Sequence, residues 1–461
     1  MSATMKALLT LLLPTMLWAQ AQPPNIVVVF CDDLGYGDLG CYGHPTIRTP
    51  HLDRMAREGT RLTEFYVGAS VCTPSRAALL TARLPIRSGM CSDKRRVLFP
   101  RSKGGLPASE ITLAESLKAA GYATGCFGKW HLGHRKPFLP TRHGFDTYYG
   151  IPYSNDMDRV RGSPKGRASF NDPKSEYWNV PLMKDEEIVE RPADQTTITR
   201  RYADAALAFM SESTQAKKPF FVYLANSMPH VPLFASDAHR GKSPRGLYGD
   251  VIEEIDANVG RVLDFIRSNE STAKNTLVFF TSDNGPWLPY GLHGGSAGLL
   301  RAGKGTTFEG GLRVPGIAWW PGKIPAGRVT AGMATTMDLH VTALELAGAT
   351  IPDDRTLDGQ DIQGFLRGGS SPRTTVLYYR GATLYAVRVG PWKAHFITHG
   401  AYGSGPKRTV HDVPKLFHLE HDPSEQHEVG KKHPDVIAKL RKIAATHRAS
   451  VEAPPSQLEL R

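Results

Sequence analysis

The chain has 461 residues, of which 41% are hydrophobic and 22% are charged. This composition excludes a disordered chain, a fibrous protein and a membrane protein with many spans, and the length suggests two domains, or three at most. Lysine and arginine outnumber aspartate and glutamate by 56 to 44, so the formal net charge of +12 favours anionic partners such as nucleic acid, a sulfated glycan or anionic lipid.

The first residues have the pattern of a secretory signal peptide. Lys6 precedes an apolar stretch, residues 7–19, that is too short to span a bilayer, and residues 19–21 (Ala-Gln-Ala) match a small-x-small cleavage site. A buried N-terminal helix is the alternative, but Pro14 would interrupt it. We therefore predict that residues 1–21 are cleaved near Ala21 and that the mature chain is exported to a periplasm, a lumen or the exterior. No later segment is long and apolar enough to span a membrane.

Four buried strands are predicted, and each ends in residues that bind cations or anions. The run at 25–30 (NIVVVF) is typical of a strand covered on both faces. Because a parallel sheet places its ligand crevice beyond the carboxyl ends of its strands, we expect the residues after these strands to converge. The strands and the residues that follow them are 25–30 with Asp32 and Asp33, 122–127 with Lys129 and His131, 220–224 with His230, and 276–281 with Asp283 and Asn284.

Amphipathic helices lie between these strands. One is predicted over residues 112–120, where Gly121 ends it, and a longer one carries apolar residues at helical spacing from Val251 to Ile266. Strands that alternate with helices indicate an α/β domain whose mixed, mostly parallel sheet is sandwiched by helices. We assign residues 22–370 to this domain.

Beyond about residue 370 the pattern changes to short strand-like runs with little helix between them. The runs are 376–380, 384–389, 392–397 and 415–419, and an amphipathic helix follows at 434–447. Residues 369–372 (Gly-Ser-Ser-Pro) have the composition of a boundary. We therefore predict a smaller C-terminal α+β domain, residues 371–461, that contains an antiparallel sheet.

The carboxylates and the amide at two of the strand ends predict a metal site. Asp32, Asp33, Asp283 and Asn284 offer only oxygen ligands, which suit a hard divalent cation such as Ca²⁺ better than Zn²⁺. An Asp-Asp or Asp-Asn-Gly motif alone is more often a turn or a helix cap. Two such motifs at the ends of strands in one sheet favour the metal.

Cys72 is the cysteine whose surroundings suggest a chemical role. The chain has five cysteines, an odd number that leaves at least one unpaired, and none forms the CxxC pair of a zinc–thiolate site. Pro74 and Ser75 suit the start of a helix, so Cys72 would lie at a helix N-terminus with Arg76 one turn along, where an anion is favoured. A lone cysteine among apolar residues is more often inert.

The segment around Cys72 resembles the signature of the formylglycine-dependent sulfatases, in which this cysteine is oxidised to an aldehyde after synthesis. Cys-x-Pro-Ser-Arg at 72–76 is followed by Leu-Thr-x-Arg at 80–83, and Ala82 stands where many members have glycine. Segments 150–156 and 393–396 resemble arylsulfatase A, and residues 378–381 resemble N-acetylgalactosamine-6-sulfatase. The similarity covers nearly the whole mature chain. Further segments that agree in order and spacing are 32–37, 128–133, 229–230, 282–285 and 303–311.

This resemblance implies an alkaline-phosphatase-like fold and a sulfatase mechanism. A maturation enzyme would convert Cys72 to formylglycine, and the hydrated aldehyde, activated by Asp283 beside the cation, would attack sulfur and form a covalent sulfoenzyme. His131 would deprotonate the second hydroxyl so that sulfate is eliminated and the aldehyde regenerated.

The resemblance also implies the other roles at the site. His230 and Lys304 would protonate or stabilise the departing alkoxide, and Arg76 would orient the hydrated aldehyde. The residues implied to bind substrate are Lys129, Ser154, His230, Lys304 and His395. The implied ligands of the metal, Ca²⁺ rather than Mg²⁺, are Asp32, Asp33, Cys72, Asp283 and Asn284.

Two alternatives to a sulfatase stay open on the sequence. A phosphate or phosphonate ester hydrolase of the same superfamily would share the fold, although relatives with two zinc ions have histidine ligands in place of Asn284 and typically serine or threonine in place of Cys72. A non-catalytic protein that binds sulfated glycan would tolerate loss of the cysteine, the bases or the carboxylates, yet the full set is present.

The expected substrate is a sulfated small molecule or glycan, such as an aryl sulfate or a galactose- or N-acetylgalactosamine-6-sulfate, and no nucleic acid partner is expected. Basic clusters at 94–103 and 159–167 could guide a polyanionic glycan towards the site, although such clusters are more often solvated loops. The sequence leaves the oligomeric state and disulfide pairing open.

Overall fold

The computed structural model describes residues 23–460, so the predicted signal peptide lies outside the described residues. An eleven-stranded sheet and a four-stranded sheet organise the fold. The strands of the large sheet are β1 (Asn25–Cys31), β2 (Thr60–Tyr66), β3 (Ala123–Gly128), β4 (Thr147–Gly150), β5 (Leu182–Lys184), β6 (Glu187–Glu190), β7 (Phe220–Ala225), β8 (Thr276–Ser282), β9 (Arg313–Trp319), β10 (Arg328–Thr330) and β11 (Ala334–Thr335).

The large sheet is mixed and mostly parallel, as predicted. Its order is β10-β2-β9-β8-β1-β7-β3-β4-β5-β6, with β11 beside β2. Strands β8, β1, β7, β3 and β4 pair in parallel, whereas β9 runs antiparallel to both neighbours and β5 and β6 form an antiparallel edge. The four strands predicted from the sequence are therefore four adjacent strands at the centre.

Most of the helices lie on the two faces of this sheet. The helices are α1 (Pro50–Glu58), α2 (Cys72–Thr81), α3 (Pro85–Ser88), α4 (Leu113–Ala119), α5 (Ala168–Asn171), α6 (Ile198–Gln215), α7 (Leu247–Arg267), α8 (Glu270–Lys274), α9 (Glu309–Leu312), α10 (Thr336–Ala347), α11 (Gln363–Leu366) and α12 (Pro434–Ala449). None of the helices in the described part of the chain has the length and hydropathy needed to traverse a bilayer.

The side chains of β1 show why its sequence is continuously apolar. Val27 and Val29 pack in the same core cluster as residues of α1, α6 and α7, and Ile26, Val28 and Phe30 pack in the opposite cluster with α2, α4 and α10. All five are buried. A strand covered on both faces has no solvent side on which a polar residue could alternate.

Two predicted helices are confirmed together with the local signals that form them. The apolar stripe of α7 from Val251 to Ile266 is buried against the sheet. Helix α4 begins with a capping box, in which Thr112 Oγ1 accepts a hydrogen bond from Glu115 N at 3.1 Å and Glu115 Oε2 accepts one from Thr112 N at 2.7 Å.

The small sheet is antiparallel in the order β12-β13-β14-β15, and α12 packs against it. The fourth strand begins six residues before the predicted start at 415. Its first half is mostly exposed at the sheet edge, so its sequence lacks the apolar alternation on which the prediction depended. The strands of the small sheet are β12 (Thr375–Arg380), β13 (Thr383–Val389), β14 (Trp392–Thr398) and β15 (Thr409–His418).

Candidate active site

The register of β1 and β8 brings the predicted carboxylates together. Cys31 and Ser282 are direct partners in this parallel pair, so the residues that follow them leave the sheet side by side. The amide of Asp33 donates a hydrogen bond to Asp283 Oδ1 at 3.2 Å, and Asn284 Nδ2 donates one to Asp33 Oδ1 at 2.7 Å. Asp32, Asp283 and Asn284 are fully buried and Asp33 is nearly so.

Cys72 is the first residue of α2 and lies against this carboxylate cluster. Its Sγ is 3.2 Å from Asp32 Oδ1 and 3.6 Å from Lys304 Nζ. Burial, followed by the negative charges of Asp283 and Asp32, raises the pKa of the thiol well above its usual value. An unmodified thiol here would stay protonated at neutral pH and would be a poor nucleophile.

Three buried cations, Lys129, Lys304 and Arg76, face the carboxylates of Asp32, Asp33 and Asp283. Lys129 Nζ makes a short contact with Asp32 Oδ2 and donates to Ser154 Oγ at 3.2 Å, and Lys304 Nζ lies 2.7 Å from Asp33 Oδ1. Burial alone would raise the pKa of Asp32, but the neighbouring cations, Lys129 first, hold it well below its usual range. The predicted sulfate-binding pair, Lys129 and Ser154, is therefore in direct contact.

Arg76 connects the two sides of the cluster. Its Nη2 lies 2.9 Å from Asp283 Oδ2, its Nε donates to the same oxygen at 3.0 Å, and its Nη1 donates to the carbonyl of Lys129 at 2.6 Å. The guanidinium has no exposed surface. Arg76 therefore fixes the Asp283 carboxylate relative to the loop that carries Lys129 and His131.

His131 is held in one orientation by the backbone. Its Nε2 lies 2.9 Å from the carbonyl oxygen of Leu98, so Nε2 carries the proton of the neutral ring. Its Nδ1 is buried and has no hydrogen-bond partner among residues 23–460. The backbone of His131 also has φ 61°, a left-handed conformation that is unfavourable for a residue with a Cβ atom. This geometry leaves Nδ1 with a free lone pair, as a base requires.

His230 lies between Ser154 and Asp33. Its Nδ1 is 2.6 Å from the carbonyl oxygen of Val231, and its Nε2 is 3.4 Å from Ser154 Oγ and 3.6 Å from Asp33 Oδ2. Lys304 Nζ contacts both oxygens of the same Asp33 carboxylate, Oδ1 at 2.7 Å and Oδ2 at 2.8 Å. The two residues predicted to act on the leaving group therefore lie on the same side of the cluster.

The donor set fits a divalent cation. Ligand atoms of Asp32, Asp33, Cys72 and His230 lie within 4.8 Å of one another. Asn284 Oδ1 is buried without a partner in the described part of the chain, an orphaned acceptor that a cation would satisfy. Burial first, and then the charge of Asp32, raise the pKa of Asp283 to about 7, so the cluster has room for further positive charge.

His395 does not join this cluster through any hydrogen bond or ion pair of the described residues. It is fully buried on β14, where its Nε2 lies 2.6 Å from Glu425 Oε1 and its ring packs against Phe308. The substrate-binding role of His395 stays a prediction.

Sequence reasoning missed two groups at the site. One is the carbonyl of Leu98, which orients His131; a backbone acceptor leaves no signal in residue identity. The other is a pair of aromatic side chains beside the leaving-group residues. Trp287 packs against His230 with ring centroids 5.2 Å apart and against Tyr402 at 5.0 Å. Trp287 comes three residues after Asn284, so its position was a usable signal.

Family models match both parts of the chain. The Sulfatase family model matches residues 24–349, and the model for the C-terminal region of aryl-sulfatase matches residues 371–461. These two ranges together contain every residue of the cluster described above.

Individual relatives resemble nearly the whole chain. It is 42% identical to arylsulfatase A of Bos taurus, with 95% of this chain and 91% of that protein covered, and 40% identical to N-acetylgalactosamine-6-sulfatase of Canis lupus familiaris, with 95% and 88% covered. The structure of PsFucS1 sulfatase from Pseudoalteromonas sp. superposes with a TM-score of 0.83 at 30% identity, covering 93% of this chain and 91% of that one.

Proposed function

The chain belongs to the sulfatase family and is a sulfuric ester hydrolase. From that premise, we propose that it is exported and that it acts through a formylglycine hydrate at Cys72 and a covalent sulfoenzyme. The proposed mechanism rests on the position of Cys72 in the first turn of α2, where Asp32 Oδ1 and Lys304 Nζ contact its sulfur. We further propose that residues 22–370 form the catalytic domain and residues 371–461 a C-terminal domain.

The contacts of the buried cluster support distinct roles for its residues. Lys129 and Ser154, 3.2 Å apart, bind sulfate oxygens together, because a cation and a hydroxyl can donate to neighbouring oxygens of one anion. Asp283, held by Arg76, takes the proton from the attacking hydroxyl of the hydrate. His131 takes the proton of the second hydroxyl at Nδ1, since Nε2 is committed to a backbone carbonyl.

Lys304 stabilises the leaving alcohol, and His230 binds the substrate beside it. Burial disfavours the charged ammonium of Lys304, but the negative charge of Asp33 outweighs burial and raises its pKa well above the usual value, so Lys304 keeps its protons at neutral pH. His230 Nδ1 donates to a backbone carbonyl, so its neutral ring presents the unprotonated Nε2 and receives a hydrogen bond from substrate. Lys304 is therefore the resident proton donor of this pair.

We propose Ca²⁺ as the metal, held by Asp32, Asp33, Asp283, Asn284 and the formylglycine at position 72. When bound, the ion supplies electrostatic stabilisation of the sulfate oxygens. The all-oxygen set of side chains that would surround it favours calcium over zinc.

We propose sulfated sugars as natural substrates, with aryl sulfates also cleaved. One relative is named for N-acetylgalactosamine 6-sulfate and another as an arylsulfatase. The aromatic pair Trp287 and Tyr402 beside Lys304 supports a sugar leaving group, because aromatic rings pack well on the apolar face of a pyranose. Release of sulfate from aryl sulfates but from no sulfated saccharide would contradict this part of the proposal.

The mass of one tryptic peptide tests the nucleophile. We expect the peptide 62–76, from protein made together with a formylglycine-generating enzyme, to be lighter by roughly 18 Da than the unmodified sequence, since sulfur and two hydrogens are exchanged for oxygen. Protein made without that enzyme is the control and should give the unshifted mass. An unshifted Cys72 in both preparations would overturn the formylglycine mechanism.

A further inference from the structure

A cavity of about 380 Å³ lies between the start of α2 and the loop after α3 on one side and the small sheet on the other, directly beside the active site. One wall consists of residues 69–71 and Pro74, which flank Cys72, and another is Gly305, which follows Lys304. The two walls are joined by a hydrogen bond from the amide of Gly305 to the carbonyl of Ser70 at 2.8 Å. The cavity is therefore attached to the same two segments that carry the nucleophile and the proton donor.

The lining of this cavity is strongly basic. Its single acidic residue, Asp93, is occupied, because it accepts hydrogen bonds from Ala382 N at 2.9 Å and Thr383 Oγ1 at 3.2 Å. The loop after α3, strand β12 and the loop between β14 and β15 contribute the basic groups. The basic residues of the lining are Lys94, Arg96, Arg380, His399 and Arg408.

The positive charge of the lining is not neutralised within residues 23–460. Arg96, Arg380 and Arg408 make no ion pair with a described carboxylate, and Lys94 reaches only the exposed Glu459. Nη1 of Arg96 and Nδ1 of His399 are buried without a hydrogen-bond partner in the described chain. A buried guanidinium N–H without a partner costs free energy unless a ligand satisfies it, so Nη1 of Arg96 indicates a missing anion.

An aromatic bridge, defined here as Tyr402 and Trp287, connects the basic cavity to the reaction centre. The guanidinium of Arg96 lies 4.1 Å from the ring centroid of Tyr402, and Lys304 Nζ lies 4.4 Å from that of Trp287. The two rings are 5.0 Å apart. One end of the bridge therefore contacts the basic cavity and the other end contacts the proton donor of the leaving group.

We propose that the basic cavity is an anion subsite, which binds a second sulfate or carboxylate group on the sugar next to the one that is desulfated. The neighbouring sugar ring lies on the aromatic bridge, and its oxyacid group reaches Arg96 and Arg408. This inference rests on the proposed function and narrows its substrate class to oligosaccharides with at least two anionic groups. A second sulfate and a uronate carboxylate share the required chemistry.

The test compares three disaccharides that carry the same 6-sulfate on one sugar. The neighbouring sugar is neutral in the first, a uronic acid in the second and sulfated in the third. We expect wild-type kcat/KM to be at least about tenfold higher for one or both of the charged disaccharides than for the neutral one, mainly through KM. Preference for the second or the third compound identifies the source of the anion.

The variant that tests the lining is R96Q/R408Q. Arg380 is left unchanged because it also donates to the carbonyls of His399 and Gly400. We expect the ratio of kcat/KM between charged and neutral disaccharides to fall towards one. The matched control, R57Q/K323Q, removes the same charge from two exposed positions. Arg57 precedes β2 and Lys323 follows the antiparallel β9, so both lie at the opposite edge of the sheet from the active site. This control should keep the wild-type ratio.

Two results would overturn the subsite, and they differ from failure of the proposed function. A wild-type ratio near one, or a ratio that R96Q/R408Q leaves unchanged, would exclude the anion subsite. The proposed sulfatase activity would still stand if the neutral disaccharide and 4-nitrophenyl sulfate are hydrolysed. Failure of the matured wild-type protein to release sulfate from any of these esters would contradict the proposed function and the subsite together.

Discussion

Asp283 is placed both to take a proton and to balance a buried cation. It accepts two contacts from Arg76, each about as long as an ordinary hydrogen bond, and a hydrogen bond from the amide of Asp33. An amide at this position would keep the shape but would neither accept the proton nor neutralise Arg76.

We therefore expect Asp283→Asn to lower kcat/KM for 4-nitrophenyl sulfate by at least about 10³-fold. Asp264→Asn, on the exposed face of α7, is the control and should retain wild-type activity. The mass of peptide 62–76 must match that of wild type, so that a loss of rate is not a loss of maturation. Near-normal turnover in Asp283→Asn would contradict the role of Asp283.

Asn284 permits a test of the metal that does not depend on activity. A ligand that binds only the folded state stabilises it, by about 2.7 kcal/mol at a concentration of 100 times Kd. We expect Ca²⁺ added to chelator-treated protein to raise Tm, and Asn284→Leu to reduce that rise because it removes the orphaned Oδ1. An identical rise in both proteins would exclude Asn284 as a ligand.

At the scale of elements, α9 and the small sheet are joined by a buried polar network. Glu309, the first residue of α9, accepts hydrogen bonds from Tyr66 and Tyr378, both at 2.7 Å, and from Lys393 Nζ at 2.9 Å. Lys393 also lies 2.9 Å from Glu425. Lys393 thus lies between two buried carboxylates, and neither Lys393 nor those carboxylates have any exposed surface.

Removal of Lys393 should be costly for stability. We expect Lys393→Met to lower the free energy of unfolding by about 3–5 kcal/mol, because it leaves carboxylates buried with less positive charge. Lys415→Met, on the exposed side of β15, should change it by less than about 0.5 kcal/mol. Urea unfolding at pH 7 measures both, and equal midpoints for the two variants would contradict this account of the network.

The central elements could be predicted from the sequence because their burial determines which positions must be apolar. The run NIVVVF needs apolar side chains on two faces, and α7 needs them on one stripe, so composition and period sufficed. The direction of β9 was not predictable in this way. It is buried like its neighbours, and its antiparallel direction follows from how the chain returns to the sheet rather than from its own side chains.

For the whole molecule, two buried histidines link stability to pH. Burial lowers the pKa of His143 and of His340 to about 4, below the value of about 6.5 for an unfolded histidine. Between these values the unfolded chain binds more protons than the folded chain. Their contribution to stability is therefore complete above about pH 6.5 and is lost as the pH falls towards 4.

The variant His340→Gln should reduce this dependence on pH. We expect the difference in unfolding free energy between pH 7 and pH 5 to shrink by about 2 kcal/mol, since one titrating group is removed. His427→Gln, at an exposed position, should leave the difference unchanged. Urea unfolding of both variants at the two pH values decides, and an unaltered difference in His340→Gln would be the contrary result.

The convergence of the site could also be predicted on this scale, whereas its fine positioning could not. Parallel strands force Asp32, Lys129, His230 and Asp283 to one edge of the sheet, so strand order was not needed to expect them together. The contact of His395 with Glu425 depends on how the loop after β15 folds back on β14, and short sequence motifs do not encode that.

The contact between Glu309 and Lys393 also limits how members of this family could recombine. The carboxylate lies in the segment that follows Lys304, and its ammonium and phenol partners lie on β14 and β12. A C-terminal sheet grafted from a relative would meet an unmatched buried charge unless residues on both sides of the seam came from the same parent. Composition alone would place the junction of such a chimera near residue 370. The buried charges instead require that the segment taken from the second parent begins before Glu309.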